Sequence, residues 1–182
     1  LNAQLDSVSF ETPIDSSDMQ PDHWSRMAHI IHDNYDSHDG FVILHGSDTL
    51  AYTASALSFM LDGLKKPVIL TGSQLPIGMI RTDARENLIT AVEIATLQTN
   101  GEPTVQEVAI YFEYKLYRGN RTKKISTDAF EAFSSPNYHV LAEAGVNINF
   151  NHVALFRSNA EKLSLTDGFD NSVSTLFLFP GI

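Results

Sequence analysis

Residues 41–61 read FVILHGSDTLAYTASALSFML. The first four are apolar. The next five, His45-Gly46-Ser47-Asp48-Thr49, are small or polar, and an Ala/Leu/Ser pattern at helical spacing follows. A short, continuously apolar run bounded by turn residues is the pattern of a strand buried on both faces. The stretch therefore predicts a strand over 41–44, a polar turn, and a helix from about 49 to 61 that Asp62-Gly63 ends. Ser, Asp and Thr are favoured at helix N-caps, so any one of them at this handover needs no further reason. Three in a row behind a glycine point beyond capping. Gly46 lets backbone approach a ligand closely, and a carboxylate at a helix N-terminus stays ionised, fit to hold an ammonium group.

The same rhythm extends on both sides. Pro21 suits a first helical position, and Trp24, Met27, Ala28, Ile30 and Ile31 recur at helical spacing, which predicts a helix over 21–35. Residues 67–71 predict a second apolar strand, followed by the polar turn Gly72-Ser73-Gln74. A helix over 83–98 and a strand over 108–112 come next. Residues 113–137 read as irregular apart from room for a short continuation of strand, 8–10 as a short strand, and 175–179 as a last strand. Apolar strands alternating with helices predict an α/β fold: a doubly wound, mostly parallel sheet with helices on both faces. In such sheets ligands bind outside the carboxyl ends of the strands, which puts turns 45–49 and 72–74 on the site side.

Composition narrows the function. The 182 residues suit one domain, or one and a piece of another. Twelve Lys+Arg against 22 Asp+Glu give a net charge of −10, which argues against nucleic acid or an anionic membrane as partner. With no cysteine there is neither a disulfide framework nor a Cys-ligated metal. No apolar run reaches the roughly 18 residues of a membrane span, and the opening residues do not read as a signal peptide, so a cytoplasmic protein is expected. Asn120-Arg121-Thr122 is a glycosylation sequon read as chance. The chain starts at Leu1 in unpatterned sequence and ends in the apolar TLFLFPGI, from which a fragment of a longer protein is expected.

Three further clusters were weighed. Asp15-Ser16-Ser17-Asp18 reads as a loop entering a helix, of interest only if folding brings it beside 45–49. KLYRGNRTKK, residues 115–124, gathers five of the twelve basic residues. It reads as a solvated loop, as an anion or nucleic-acid patch, or as the carrier of a lysine whose lowered pKa lets it act as a base. His29, His32 and His38, near Asp33, Asp36 and Asp39, match no metal-ligand spacing, so no metal site is expected. The Gly-x-x-x-x-Gly-Lys-Ser/Thr, Gly-x-Gly-x-x-Gly, Gly-x-Ser-x-Gly and His-Glu-x-x-His motifs are all absent. The residues by themselves reach an acidic α/β protein with a hydroxyl-rich polar site at its strand ends.

DGFVILHGSDTLAYTASALSFML, KPVILTGSQLP and LYRGNRTKK, in that order and preceded by DSSDM, closely resemble the bacterial L-asparaginases of the cytoplasmic type I, over about residues 12–182. The resemblance implies hydrolysis of L-asparagine to L-aspartate and ammonia through a hydroxyl nucleophile and an acyl-enzyme, with no metal and no cofactor. It implies a homodimer or homotetramer for the full-length protein. It makes Ser47 the hydroxyl of the Thr-Asp-Thr motif. Asp48 would bind the substrate's α-amino group and hold a lysine, Lys124 would be that lysine and move the protons, Ser16 would contact the α-carboxylate, and Gly46 and Ser73 would line the pocket through backbone groups. Residues 1–182 would then be the N-terminal catalytic domain without its first strand and nucleophile loop, the C-terminal domain being absent. The chain departs from the family in having Ser47 for Thr, Lys123 for Thr before the lysine, and no Thr-Gly-Gly-Thr loop. Without that loop the fragment itself is expected to be inactive. The rival expectations are a non-catalytic amino-acid-binding or regulatory domain and, with less support, an anion-binding module built on 115–124.

Overall fold

The computed structural model describes residues 3–170 and 172–181. Its centre is a six-stranded sheet of β1 (Phe41–Leu44), β2 (Val68–Thr71), β3 (Val108–Phe112), β4 (Lys115–Arg118), β5 (Ala142–Ala144) and β6 (Ile148–Phe150), lying side by side in chain order. β1, β2 and β3 run parallel, with Phe41 opposite Val68 and Val68 opposite Val108. β4, β5 and β6 continue the sheet antiparallel.

Three helices cover it: α1 (Pro21–Asp33), α2 (Leu50–Met60) and α3 (Ala84–Thr96). Alternation along the strands sorts the core. Val68, Leu70, Val108, Ile110 and Phe112 face α1 and α2, packing on Met27, Ile31, Leu50, Leu57 and Met60. Ile69, Ala109 and Tyr111 face the other way, onto Ala91, Ile94 and Ala95 of α3. Because β2 is covered on both faces, Val68, Ile69 and Leu70 are apolar in succession, and buried Thr71 donates its hydroxyl to the Tyr111 carbonyl at 2.8 Å.

This arrangement has a topological consequence. α2 connects β1 to β2 over one face, and α3 connects β2 to β3 over the other, while both crossovers step in the same direction across the sheet. The two connections therefore have opposite hands, and one has the left hand that parallel crossovers almost never adopt. The chains leaving β1 and β2 diverge to opposite faces at their carboxyl ends. Such divergence opens the crevice where α/β sheets bind ligands.

Helix and strand positions follow the patterning at β1, β2, β3 and the three helices. Three regions differ from expectation. The parallel part of the sheet is confined to β1–β3, and the segment read as irregular supplies β4 and two two-residue strands, Lys123–Lys124 and Phe133–Ser134, paired with each other. Residues 8–10 form no strand. Residues 175–179 form none either, and Leu176, Phe177, Leu178 and Phe179 are all exposed. An apolar run can become a strand only where a sheet edge accepts its hydrogen bonds, and none is paired with it among the described residues.

Candidate active site

The two polar turns meet through their glycines. A Cβ on Gly72 would lie 2.2 Å from the carbonyl oxygen of His45, and a Cβ on Gly46 would lie 2.5 Å from Ser16 Oγ. Neither position has room for a side chain. The contact at Gly46 brings the 3-10 turn Ser16–Asp18 against the 45–49 turn. Of residues 3–20, Ser16 alone is buried. A further hydrogen bond, from Thr49 Oγ1 to the Ser16 carbonyl at 2.6 Å, spans the same gap.

Lys124 reaches this junction from 77 positions away. Its Nζ donates to Ser47 Oγ at 2.9 Å and to Asp48 Oδ1 at 2.7 Å. The lysine side chain is 15% exposed and the aspartate 60%, so the cation is enclosed while the carboxylate keeps an open side. Lys124 is held from behind. Its backbone pairs with buried Phe133, whose ring packs edge-on against Phe112 with centroids 4.9 Å apart. Ser47 in turn donates to Gln74 Oε1 at 3.0 Å, and Gln74 Nε2 donates to the Ala129 carbonyl at 2.9 Å. The Ser47 hydroxyl thus accepts from a cation and donates to an amide oxygen. These two bonds fix the orientation that the missing β-branch of a threonine would otherwise stiffen.

The 72–75 turn has its own support. Asp83, at the N-cap of α3, makes no capping bond; its carboxylate accepts from Gln74 N at 2.9 Å and Leu75 N at 3.1 Å. Fully buried Asn87 donates through Nδ2 to the Gly72 carbonyl at 3.0 Å and accepts at Oδ1 from Glu113 N at 3.2 Å. It also donates to Asp83 Oδ2 at 3.2 Å. Ser73 lies between these anchored neighbours.

His45 closes the first turn from below. Its Nδ1 lies 2.7 Å from the Gly46 carbonyl, which only accepts, so Nδ1 carries the proton. Trp24 Nε1 donates to Thr53 Oγ1 at 2.8 Å, and Thr53 Oγ1 donates to His45 Nε2 at 2.9 Å. Burial pulls the His45 pKa below the ordinary 6.5.

All six residues expected at the site, Ser16, Gly46, Ser47, Asp48, Ser73 and Lys124, lie on these three turns and the adjoining lysine strand. The reading missed Trp24, Thr53, Gln74, Asp83 and Asn87 as supports, and gave His45 no role. The histidines outside the turn do not converge: His29 pairs with Asp167 at 2.9 Å and His38 with Asp6 at 3.2 Å. Among the described residues no group of three or more His, Asp or Glu side chains is arranged to hold a metal. Three of the five cations of the basic run are paired, Lys124 with Asp48 as above. Lys115 pairs with Glu131 at 3.1 Å, and Arg118 bonds Glu107 and lies 4.3 Å over the Tyr138 ring. No helix is long and apolar enough to cross a membrane, among the described residues.

The family model described as Asparaginase, N-terminal matches residues 2–155. The chain belongs to the asparaginase family. L-asparaginase 1 of Escherichia coli strain K12 is 53% identical over 138 residues, which are 75% of this chain and 39% of that protein. L-asparaginase of Dirofilaria immitis is 43% identical over 176 residues, 96% of this chain and 29% of that one. The crystal structure of L-asparaginase I from Vibrio cholerae superimposes with a TM-score of 0.84 at 42% identity, covering 95% of this chain and 51% of that chain. The asparaginase-family chain described here thus spans at most about half the length of these three relatives.

Proposed function

We propose that these residues are the N-terminal catalytic domain of an L-asparaginase, which hydrolyses L-asparagine to L-aspartate and ammonia. The observation that carries the reading is Lys124 Nζ within hydrogen-bond reach of both Ser47 Oγ and Asp48 Oδ1. A hydroxyl is a weak nucleophile at neutral pH and needs a base beside it. Ser47 Oγ attacks the side-chain amide carbonyl as its proton passes to the Lys124 amine. Lys124 then protonates the leaving nitrogen, the C–N bond breaks, and ammonia departs from an ester on Ser47. Water, activated by the same lysine, attacks the ester and frees L-aspartate. Backbone N–H groups of the turns stabilise the tetrahedral oxyanion. The open side of Asp48 takes the substrate's ammonium group, Ser16 its α-carboxylate, and Gly46 and Ser73 line the pocket. No step calls on a metal or cofactor.

A non-catalytic amino-acid-binding domain would use Asp48 and Ser16 but has no use for a lysine on the Ser47 hydroxyl. In this reading the full-length protein is cytoplasmic and a homodimer or homotetramer. The family brings a second reacting threonine to the site on a Thr-Gly-Gly-Thr loop, and the 182 residues contain no such sequence, so by themselves they are expected to release little ammonia. The test is ammonia and L-aspartate production from L-asparagine by the full-length protein, beside Lys124→Met. Equimolar products from the parent and a loss of about 10³-fold in the variant are expected, with the melting temperature unchanged. No ammonia from the parent, or an active Lys124→Met, overturns the reading.

A further inference from the structure

Thr49 holds the N-cap position of α2, where a threonine oxygen ordinarily accepts a backbone N–H of the first helical turn. It makes no such bond. Its hydroxyl points away from the helix and donates to the carbonyl of Ser16, 33 positions earlier in the chain. The segment that carries Ser16 meets the body on either side of the turn, where Phe10 and Met19 pack on the core and Arg26 lies 4.4 Å over the Phe10 ring. Residues 3–15 form neither helix nor strand. Asp15 accepts from Ser17 N and Ser17 Oγ, both at 2.9 Å, and Met19 N bonds the Ser16 carbonyl at 3.3 Å. These bonds shape the turn without attaching it to the body. Among the described residues, the turn's own attachment to the site is the Thr49 hydrogen bond and the close packing of Ser16 on Gly46, while Asp6 on His38 and Phe10 and Met19 on the core hold the residues to either side.

We propose that Thr49 is a positioning residue, which seats Ser16 beside Ser47 and Asp48 and so fixes where a substrate carboxylate is received. The substrate part rests on the asparaginase reading above; the anchoring part does not. The physical argument is one of local order. A bond from a helix-borne hydroxyl ties the Ser16 turn to the strand-end turn that carries Ser47 and Asp48. Removing it leaves the Ser16 carbonyl without its long-range donor and lets the turn move, while the contacts among Ser47, Asp48 and Lys124 are untouched. The loss therefore falls on ligand binding and not on proton transfer.

The experiment uses the ¹⁵N-labelled 182-residue chain as wild type, Thr49→Val, Thr49→Ala and Thr49→Ser. It reads backbone order at Ser16 and Ser17 by heteronuclear NOE, and the affinity for L-aspartate by titration of the full-length protein carrying the same substitutions. Thr49→Val and Thr49→Ala are expected to lower the NOE at 16–17 to loop values and to weaken L-aspartate about tenfold. Thr49→Ser, which keeps the hydroxyl, is expected to restore both. Thermal melting of all four is expected to agree within about 2 °C, since α2 loses no cap. Wild-type order and affinity in Thr49→Val overturn the proposal, as does a Thr49→Ser that behaves like valine. If wild type binds no L-aspartate while Thr49→Val still frees Ser16, the anchor stands and the asparaginase reading of the site falls.

Discussion

The turn after β1 and the turn after β2 lie against each other, yet they are held in opposite ways. The backbone of turn 72–75 is supported from close by in sequence: Asp83, Thr82 and Asn87 are all within 15 positions of the turn's backbone groups they bind, and its one distant bond runs through the Gln74 side chain to the Ala129 carbonyl. Turn 45–49 is held from far away, by Ser16 through Thr49, by Lys124, and by Trp24 through Thr53 and His45. Short-range support forms with the local chain and costs little loop entropy; long-range support forms only once the domain has closed. The second turn is therefore a scaffold whose loss shows as lost stability. The first is an assembly whose loss shows as lost function.

The strongest way to break this contrast is Asn87→Leu. Leucine fills nearly the same volume but leaves the Gly72 carbonyl and the Glu113 N–H without their partner in the interior. Each buried orphan costs about 1–3 kcal/mol. A loss near 3 kcal/mol is expected, or roughly 10 °C in melting temperature for a domain of this size. Urea unfolding measures it. A variant as stable as wild type would mean that turn 72–75 is not the scaffold the hydrogen bonds describe.

The counterpart in the other turn is Gly46→Ala. The added Cβ meets Ser16 Oγ at 2.5 Å, and both the seryl turn and the 45–49 turn must give way. Ser16 lies on a segment without regular structure, so the strain is relieved by moving it, at a stability cost of about 1 kcal/mol. L-aspartate binding is expected to fall tenfold or more, a larger functional than structural effect. The opposite ratio, with stability lost and affinity kept, would reverse the comparison.

The same division governs what could be read before folding. Residues 68–70 and Val108–Phe112 announce themselves because they are buried on both faces and apolar throughout, and Phe41–Leu44 by the same apolar run although it lies at the sheet edge, half-buried with Leu44 exposed. Ser47 and Asp48 stand out because three polar side chains at a strand end exceed what capping needs. Lys124 is different. Its neighbourhood allowed three meanings, and only resemblance to a family chose one, since nothing local records a contact 77 positions away. Asp83 and Thr49 were hidden by their positions: each is a usual N-cap residue at a helix start, and each turns its side chain elsewhere. The β3–β4 hairpin was hidden by its turn. Glu113 and Tyr114 take positive φ values of 45° and 64°, a conformation that Asn-Gly or Asp-Gly would have signalled. Here the Glu113 N–H is held by Asn87, a partner that local sequence does not reveal. The apolar run 175–179 misled for the converse reason, having the composition of a strand and no paired edge among the described residues.

The smallest expected effect lies beneath the first turn, at His45. Neutral His45 donates from Nδ1 to the Gly46 carbonyl and accepts at Nε2 from Thr53, and both bonds need that tautomer. Protonation would put a second donor against the Thr53 hydroxyl, whose own proton would have to turn away. Burial lowers the folded-state pKa below 6.5, the value the side chain regains on unfolding. The unfolded chain therefore binds more protons between those two values, and stability rises with pH across that window. On acidification the loss begins near pH 6.5, grows until the folded-state pKa is passed, and then levels off. His45→Gln removes the titration, so its urea midpoint is expected to fall less steeply than that of wild type between pH 7.5 and pH 5. L-aspartate binding in the wild type is expected to weaken over the same window, because the carbonyl that His45 holds belongs to Gly46, the residue against which Ser16 packs. Parallel pH profiles for wild type and His45→Gln would mean that the Trp24–Thr53–His45 chain holds nothing the turn needs, leaving Lys124 and Thr49 as its long-range supports.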